Sequence, residues 1–216
     1  MVAPLERIYV WEIPVRLTHW VNVLSILVLS ATGLYIGYPV SLGGTGSVMS
    51  WMRAVHRITA YVLVASVALR IYWAFVGNAW ASWRVLFPYL TREGRREMVQ
   101  TFFYYTFLRR RPPAVVGHNA LASLAYFAVA GLIVLQILTG FALQAVGGGG
   151  WRTLAFGWIL SLGGLQTVRL VHHMIMWLLL GFMVHHVYSV LLMDTEERNG
   201  LMSSIFSGYK FVRRRA

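Results

Sequence analysis

The chain contains no cysteine. Disulfides, Cys-ligated iron–sulfur clusters, thiolate zinc, blue copper and a c-type haem attached through C-x-x-C-H are therefore excluded. Charge is also scarce: Asp, Glu, Lys and Arg make up 12% of 216 residues, against 58% hydrophobic, and the mean hydropathy is +0.62. A water-soluble domain of this length carries about twice that charge fraction. Acid is scarcest of all, 7 Asp+Glu against 19 Lys+Arg. In a soluble protein such a basic excess points to nucleic acid. Here the basic residues lie between apolar runs, a signature of membrane topology, and no nucleic-acid partner is expected.

Residues 17–52, 112–151 and 170–193 contain no Asp, Glu, Lys or Arg. A bilayer core needs about 20 apolar residues per helix, which predicts spans near 18–38, 118–146 and 169–193. A fourth, near 51–76, holds Arg53, Arg57 and Arg70 but is apolar between them, and a long arginine side chain near a helix end can snorkel to the interface. The expected fold is all-α and integral to the membrane: a four-transmembrane-helix bundle, one membrane domain over 1–216. The N-terminal stretch carries Glu6 and Glu12 and lacks a small-residue cleavage site, so it reads as an uncleaved first helix rather than a signal peptide.

Arginine distribution sets the expected orientation. Residues 1–17, the loop 77–117 and the tail 194–216 hold the basic clusters, whereas 39–50 and 147–168 hold only Arg152. The termini and the middle loop are expected in the cytoplasm. All seven acids fall on that side too, and none lies within a span, which removes the main support for a carboxylate-based proton pump or cation carrier.

Seven histidines remain, and imidazole inside a membrane helix usually marks a site. His172 and His186 are fourteen residues apart on the last span, nearly four whole turns, so they share a face about 21 Å apart along the axis. The cross-pairs with His173 and His185 point away from each other. By depth, His19 is level with His186 on the inner side and His56 with His172 on the outer side. Two facing imidazoles at each of two depths is the pattern of bis-His haem ligation, b-type because cysteine is absent. Gly33 lies fourteen residues after His19, where a porphyrin needs room. Arg70 at the inner depth, and Arg57 and Arg169 at the outer, are placed to meet haem propionates.

The blocks Glu12-Ile-Pro-Val-Arg16-Leu-Thr-His19-Trp20, Thr32-Gly33, Arg70-Ile-Tyr-Trp-Ala-Phe-Val-Gly77-Asn78, Arg111-Pro112, Gly117-His118-Asn119, Thr139-Gly140-Phe141, His186-Val-Tyr188 and Phe206-Ser-Gly-Tyr209-Lys210 resemble the b-type cytochrome subunit of membrane-bound nickel–iron hydrogenases. That family is related to the membrane subunits of formate dehydrogenase and thiosulfate reductase and to cytochrome b561. The resemblance implies two haem b groups with iron ligands at His19, His56, His172 and His186. It also implies a place in the bacterial inner membrane and partnership with the hydrogenase small and large subunits. Electrons from periplasmic H2 oxidation would cross to the quinone pool of a respiratory chain. Gly117-His118-Asn119 opens the third span on the inner side, where the imidazole of His118 and the amide of Asn119 are expected to hydrogen-bond a quinone carbonyl, and the resemblance favours Asn119. No role transfers to His173 or His185, and the connection 147–166 departs from the relatives.

Two other readings stand beside this one. The chain could serve a formate dehydrogenase- or thiosulfate reductase-type complex, or act alone as a b561. From another class, the His172-His173 and His185-His186 doublets could belong to a metal-ion transporter.

Overall fold

The computed structural model describes residues 5–39, 46–110, 120–146 and 150–213. Four long helices dominate: α1 (Ile13–Gly37), α2 (Ser47–Val76), α4 (Ala120–Ala145) and α7 (Gly164–Glu197). Between them lie α3 (Arg92–Tyr105), α5 (Trp151–Phe156) and α6 (Trp158–Ser161), and α8 (Leu201–Ser207) follows α7. Each long helix is long and apolar enough to cross a bilayer. Large apolar side chains such as Leu24, Ile58 and Val184 stand exposed, while Ser25, Ser30, Thr32, Ser66, Ser123 and Thr139 are buried. Apolar outside and small hydroxyls inside is the arrangement lipid favours, because small residues let helices approach and lipid matches the outer surface. The chain is a multi-pass membrane protein.

The four long helices overlap the four expected spans, and α1, α2 and α7 begin earlier than the hydropathy placed them. α1 begins at Ile13 rather than near 18, helped by Pro14, whose fixed φ suits a first helical turn. α7 begins at Gly164, so Arg169 lies inside it rather than at its edge. The fold also departs from all-α: β1 (Leu5–Tyr9) pairs antiparallel with β2 (Tyr209–Arg213), Leu5 opposite Arg213 and Tyr9 opposite Tyr209.

Contacts divide the chain into two compact units. The first comprises Met1–Trp20, Ser66–Ala128 and His186–Ala216. Its framework joins three segments far apart in sequence. The amides of Val10 and Trp11 both donate to the Gly208 carbonyl, at 2.8 and 3.0 Å. The Glu12 carboxylate accepts from Trp73 Nε1 and from the Asn78 amide, each at 2.8 Å. Asn78 donates to the Val10 carbonyl, and its side-chain oxygen accepts from the amides of Trp80 and Ala81. Trp11 Nε1 donates to Ser204 Oγ at 3.0 Å, and Arg16 donates to the Phe206 carbonyl. Val10, Trp11, Val15 and Ala81 form a buried cluster beneath these bonds. Gly208 has φ of 88°, and a Cβ there would lie 2.6 Å from Tyr9 and 2.8 Å from the Trp11 carbonyl. Only glycine meets both demands. Strands that pair lie on one side of any bilayer, so both end segments share a side.

The second unit comprises Val21–Ala65 and Val129–His185. Its buried cluster is Ala142, Ile159 and Val168, flanked by Leu138, Leu143 and Phe156. The connection from α4 to α7 is thus folded as α5 and α6. Phe156 stacks on Phe141 at 5.0 Å, and Arg152 reaches Gln144 Oε1 at 3.5 Å.

Candidate functional site

In the first unit, α1 carries His19 and α7 carries His186. Their ring centroids are 6.3 Å apart, inclined by 57°. Two imidazoles bound to opposite sides of one metal, each through a bond of about 2 Å, have centroids about 6 Å apart. This pair therefore fits axial ligation of a single iron. Tyr126 lies edge-on to His186 at 6.0 Å, and Trp20 edge-on to His19 at 5.4 Å. Arg70, half-buried in the same unit, donates from one guanidinium nitrogen to the Ala81 carbonyl at 3.1 Å. That bond, from the terminal Nη2, anchors one end of its guanidinium group.

In the second unit, His56 on α2 and His172 on α7 line one cavity of about 1310 Å³. Ordinary ligand pockets run to roughly 300–1,000 Å³, so this one has room for a group as large as a porphyrin. Gly33, Arg57 and Arg169 line it too. Each imidazole is seated on a Thr-Gly step of a neighbouring helix. Thr32 Oγ1 lies 2.9 Å from His56 Nδ1, and a Cβ at Gly33 would come to 3.4 Å from His56 Cε1. Thr139 Oγ1 lies 2.9 Å from His172 Nδ1, and a Cβ at Gly140 would come to 3.2 Å from His172 Cε1. Two dipeptides on two helices hold two imidazoles in the same way.

Several cavity residues escaped the sequence reading. Arg53 lines it beside Arg57. Gln136 approaches His172, Nε2 to Nε2, at 3.3 Å, while its Oε1 is buried without a hydrogen-bond partner. His173 lines it as well, with Nδ1 2.9 Å from the Arg169 carbonyl and Nε2 set where a Cβ on Gly37 would come to 2.9 Å. The one sequence signal for the seats was the recurrence of Thr-Gly on the first and third spans. His118 and Asn119 lie outside the described residues.

The donor set discriminates between chemistries. A protein-built metal-ion site needs three or four converging ligands, and among the described residues no three His, Cys, Asp or Glu side chains converge to form one. An iron porphyrin brings its own four nitrogens and asks the protein for only two axial ligands, which is what each unit offers. Basic groups at the cavity suit carboxylate substituents. The residues present fit haem b.

Paired imidazoles on membrane-spanning helices define a membrane cytochrome of the b type. The chain belongs to the prokaryotic cytochrome b561 family, whose model matches residues 10–208. It is similar to the probable Ni/Fe-hydrogenase B-type cytochrome subunit of Cupriavidus necator, 38% identical over 95% of this chain and 88% of that one. The Azotobacter vinelandii protein of the same description is 38% identical over 98% and 92%. The probable Ni/Fe-hydrogenase 1 B-type cytochrome subunit of Escherichia coli K12 is 32% identical over 94% and 90%.

Proposed function

We propose that this chain is the membrane-anchoring, di-haem cytochrome b subunit through which a periplasmic nickel–iron hydrogenase reduces quinone. The observation that carries the reading is the division of four histidines into two sets, His19 beside His186 and His56 with His172 on one cavity. The names of the full-length relatives support the choice of partner. When bound, each haem b would supply a one-electron carrier, its iron held by a pair of histidines.

The chain's own residues do the positioning. His56 and His172 hold the outer group, with Gly33 clearing space and Arg57 and Arg169 facing its carboxylates. His19 and His186 hold the inner group, with Arg70 beside it. Hydrogen activation belongs to the partner's large subunit and iron–sulfur relay to its small subunit, because this chain has no cysteine to hold either centre. With both termini cytoplasmic, the inner side holds every Asp and Glu, where quinone reduction draws its protons. His118 and Asn119 are the proposed quinone contacts.

Purification in mild detergent tests the assignment. A red complex containing a nickel–iron heterodimer is the expected result. A molybdenum enzyme in its place would favour the formate dehydrogenase-type alternative. A red chain without partners would favour a stand-alone b561, and a colourless chain would revive the transporter.

A further inference from the structure

Thr32 and Thr139 make the same three contacts. Thr32 Oγ1 lies 2.7 Å from the Val28 carbonyl and 3.2 Å from that of Leu29. Thr139 Oγ1 lies 2.8 Å from the Leu135 carbonyl and 3.1 Å from that of Gln136. A hydroxyl has one hydrogen and a carbonyl can only accept, so that hydrogen is committed to the helix backbone. Towards the imidazole each oxygen is left as an acceptor. The 2.9 Å contacts with His56 and His172 therefore require the hydrogen on Nδ1.

With the proton on Nδ1, each ring keeps its Nε2 lone pair for a metal. Gly33 and Gly140, next in sequence to the threonines, let the rings seat this closely.

We infer that Thr32 and Thr139 are positioning residues that fix the tautomer and orientation of His56 and His172 and lower the reduction potential of the haem those histidines hold. The inference rests on the proposed ligand role of the two histidines. A hydrogen bond accepted from Nδ1–H makes Nε2 a more basic ligand, which stabilises ferric over ferrous iron. Removing it favours reduction. The haem of His19 and His186 serves as an internal reference.

The experiment replaces Thr32 and Thr139 with Val, singly and together, and with Ser, in the whole purified complex. Potentiometric titration followed optically reads both haems, and electron paramagnetic resonance reads the ferric low-spin signals. Each Val substitution is expected to raise the reduction equilibrium constant of one haem about tenfold, equivalent to about 59 mV for one electron, leaving the other haem unmoved. The double variant should shift further, and Ser, which keeps the hydroxyl, should return the potential to the wild-type value. Val variants with both potentials unchanged would overturn the inference, as would Ser variants displaced as far as Val. If a Val variant releases its haem, the Ser variant decides: a bound haem at wild-type potential supports the hydroxyl's role, and equal loss from Ser refutes it. Two haems retained in His56→Ala or His172→Ala would instead overturn the ligand assignment beneath the inference.

Discussion

His19 and His186, on the first and last of four membrane-spanning helices, face each other with ring centroids 6.3 Å apart. Under the proposed reading these two histidines share one cofactor. His19→Ala and His186→Ala are each expected to remove one haem, the same one, and to halve the haem content. His56→Ala and His172→Ala should remove the other. Optical redox titration of the four variants checks this, and a haem shared between His19 and His172 would break the assignment.

Glu12 joins the start of α1 to the end of α2. Its carboxylate is the acceptor for both Trp73 Nε1 and the Asn78 amide. Glu12→Ala leaves two half-buried donors unmatched, a loss of about 3 kcal/mol. The expected readout is a lower thermal midpoint in detergent. Glu12→Gln, which keeps one acceptor oxygen, should lose less.

Gly208→Ala tests the paired ends of the chain. The left-handed backbone alone costs an alanine about 1–2 kcal/mol, and the new Cβ would press on Tyr9 and the Trp11 carbonyl. Proteolysis of the terminal segments should accelerate in this variant. Unchanged resistance would show that β1 and β2 do not hold one another.

Paired strands also constrain topology. A reporter fused after Ala216 should report the same side as one placed before Met1, the cytoplasm, and a reporter inserted at Gly148 the periplasm. Opposite sides for the two termini would contradict the pairing of Tyr9 with Tyr209.

The spans were legible because a bilayer demands a run of apolar residues that few other structures need. Their ends were not, because Arg16 and Arg169 read as boundaries although long basic side chains reach out from within a helix. The fourteen-residue step from His172 to His186 singled out the two histidines proposed as ligands on that helix, since nearly four turns return a helix to the same face. Thr32 and Thr139 stayed hidden for a physical reason. A threonine in a membrane helix satisfies itself on its own backbone, as Thr18 does with the Pro14 carbonyl, so the residue alone does not reveal a second bond to a distant imidazole. The strand pair was equally silent. Five residues at each end of the chain carry too short a pattern to announce a partner, and their register is set by Gly208 and Glu12, which tie the terminal segments to the helices.

The central claim is tested most directly by haem analysis of the complex purified with its partner, before and after exposure to H2. Two b haems per chain, both reduced by H2 without added mediator, is the predicted result. A single haem, or two haems that H2 leaves oxidised while dithionite reduces them, would contradict it.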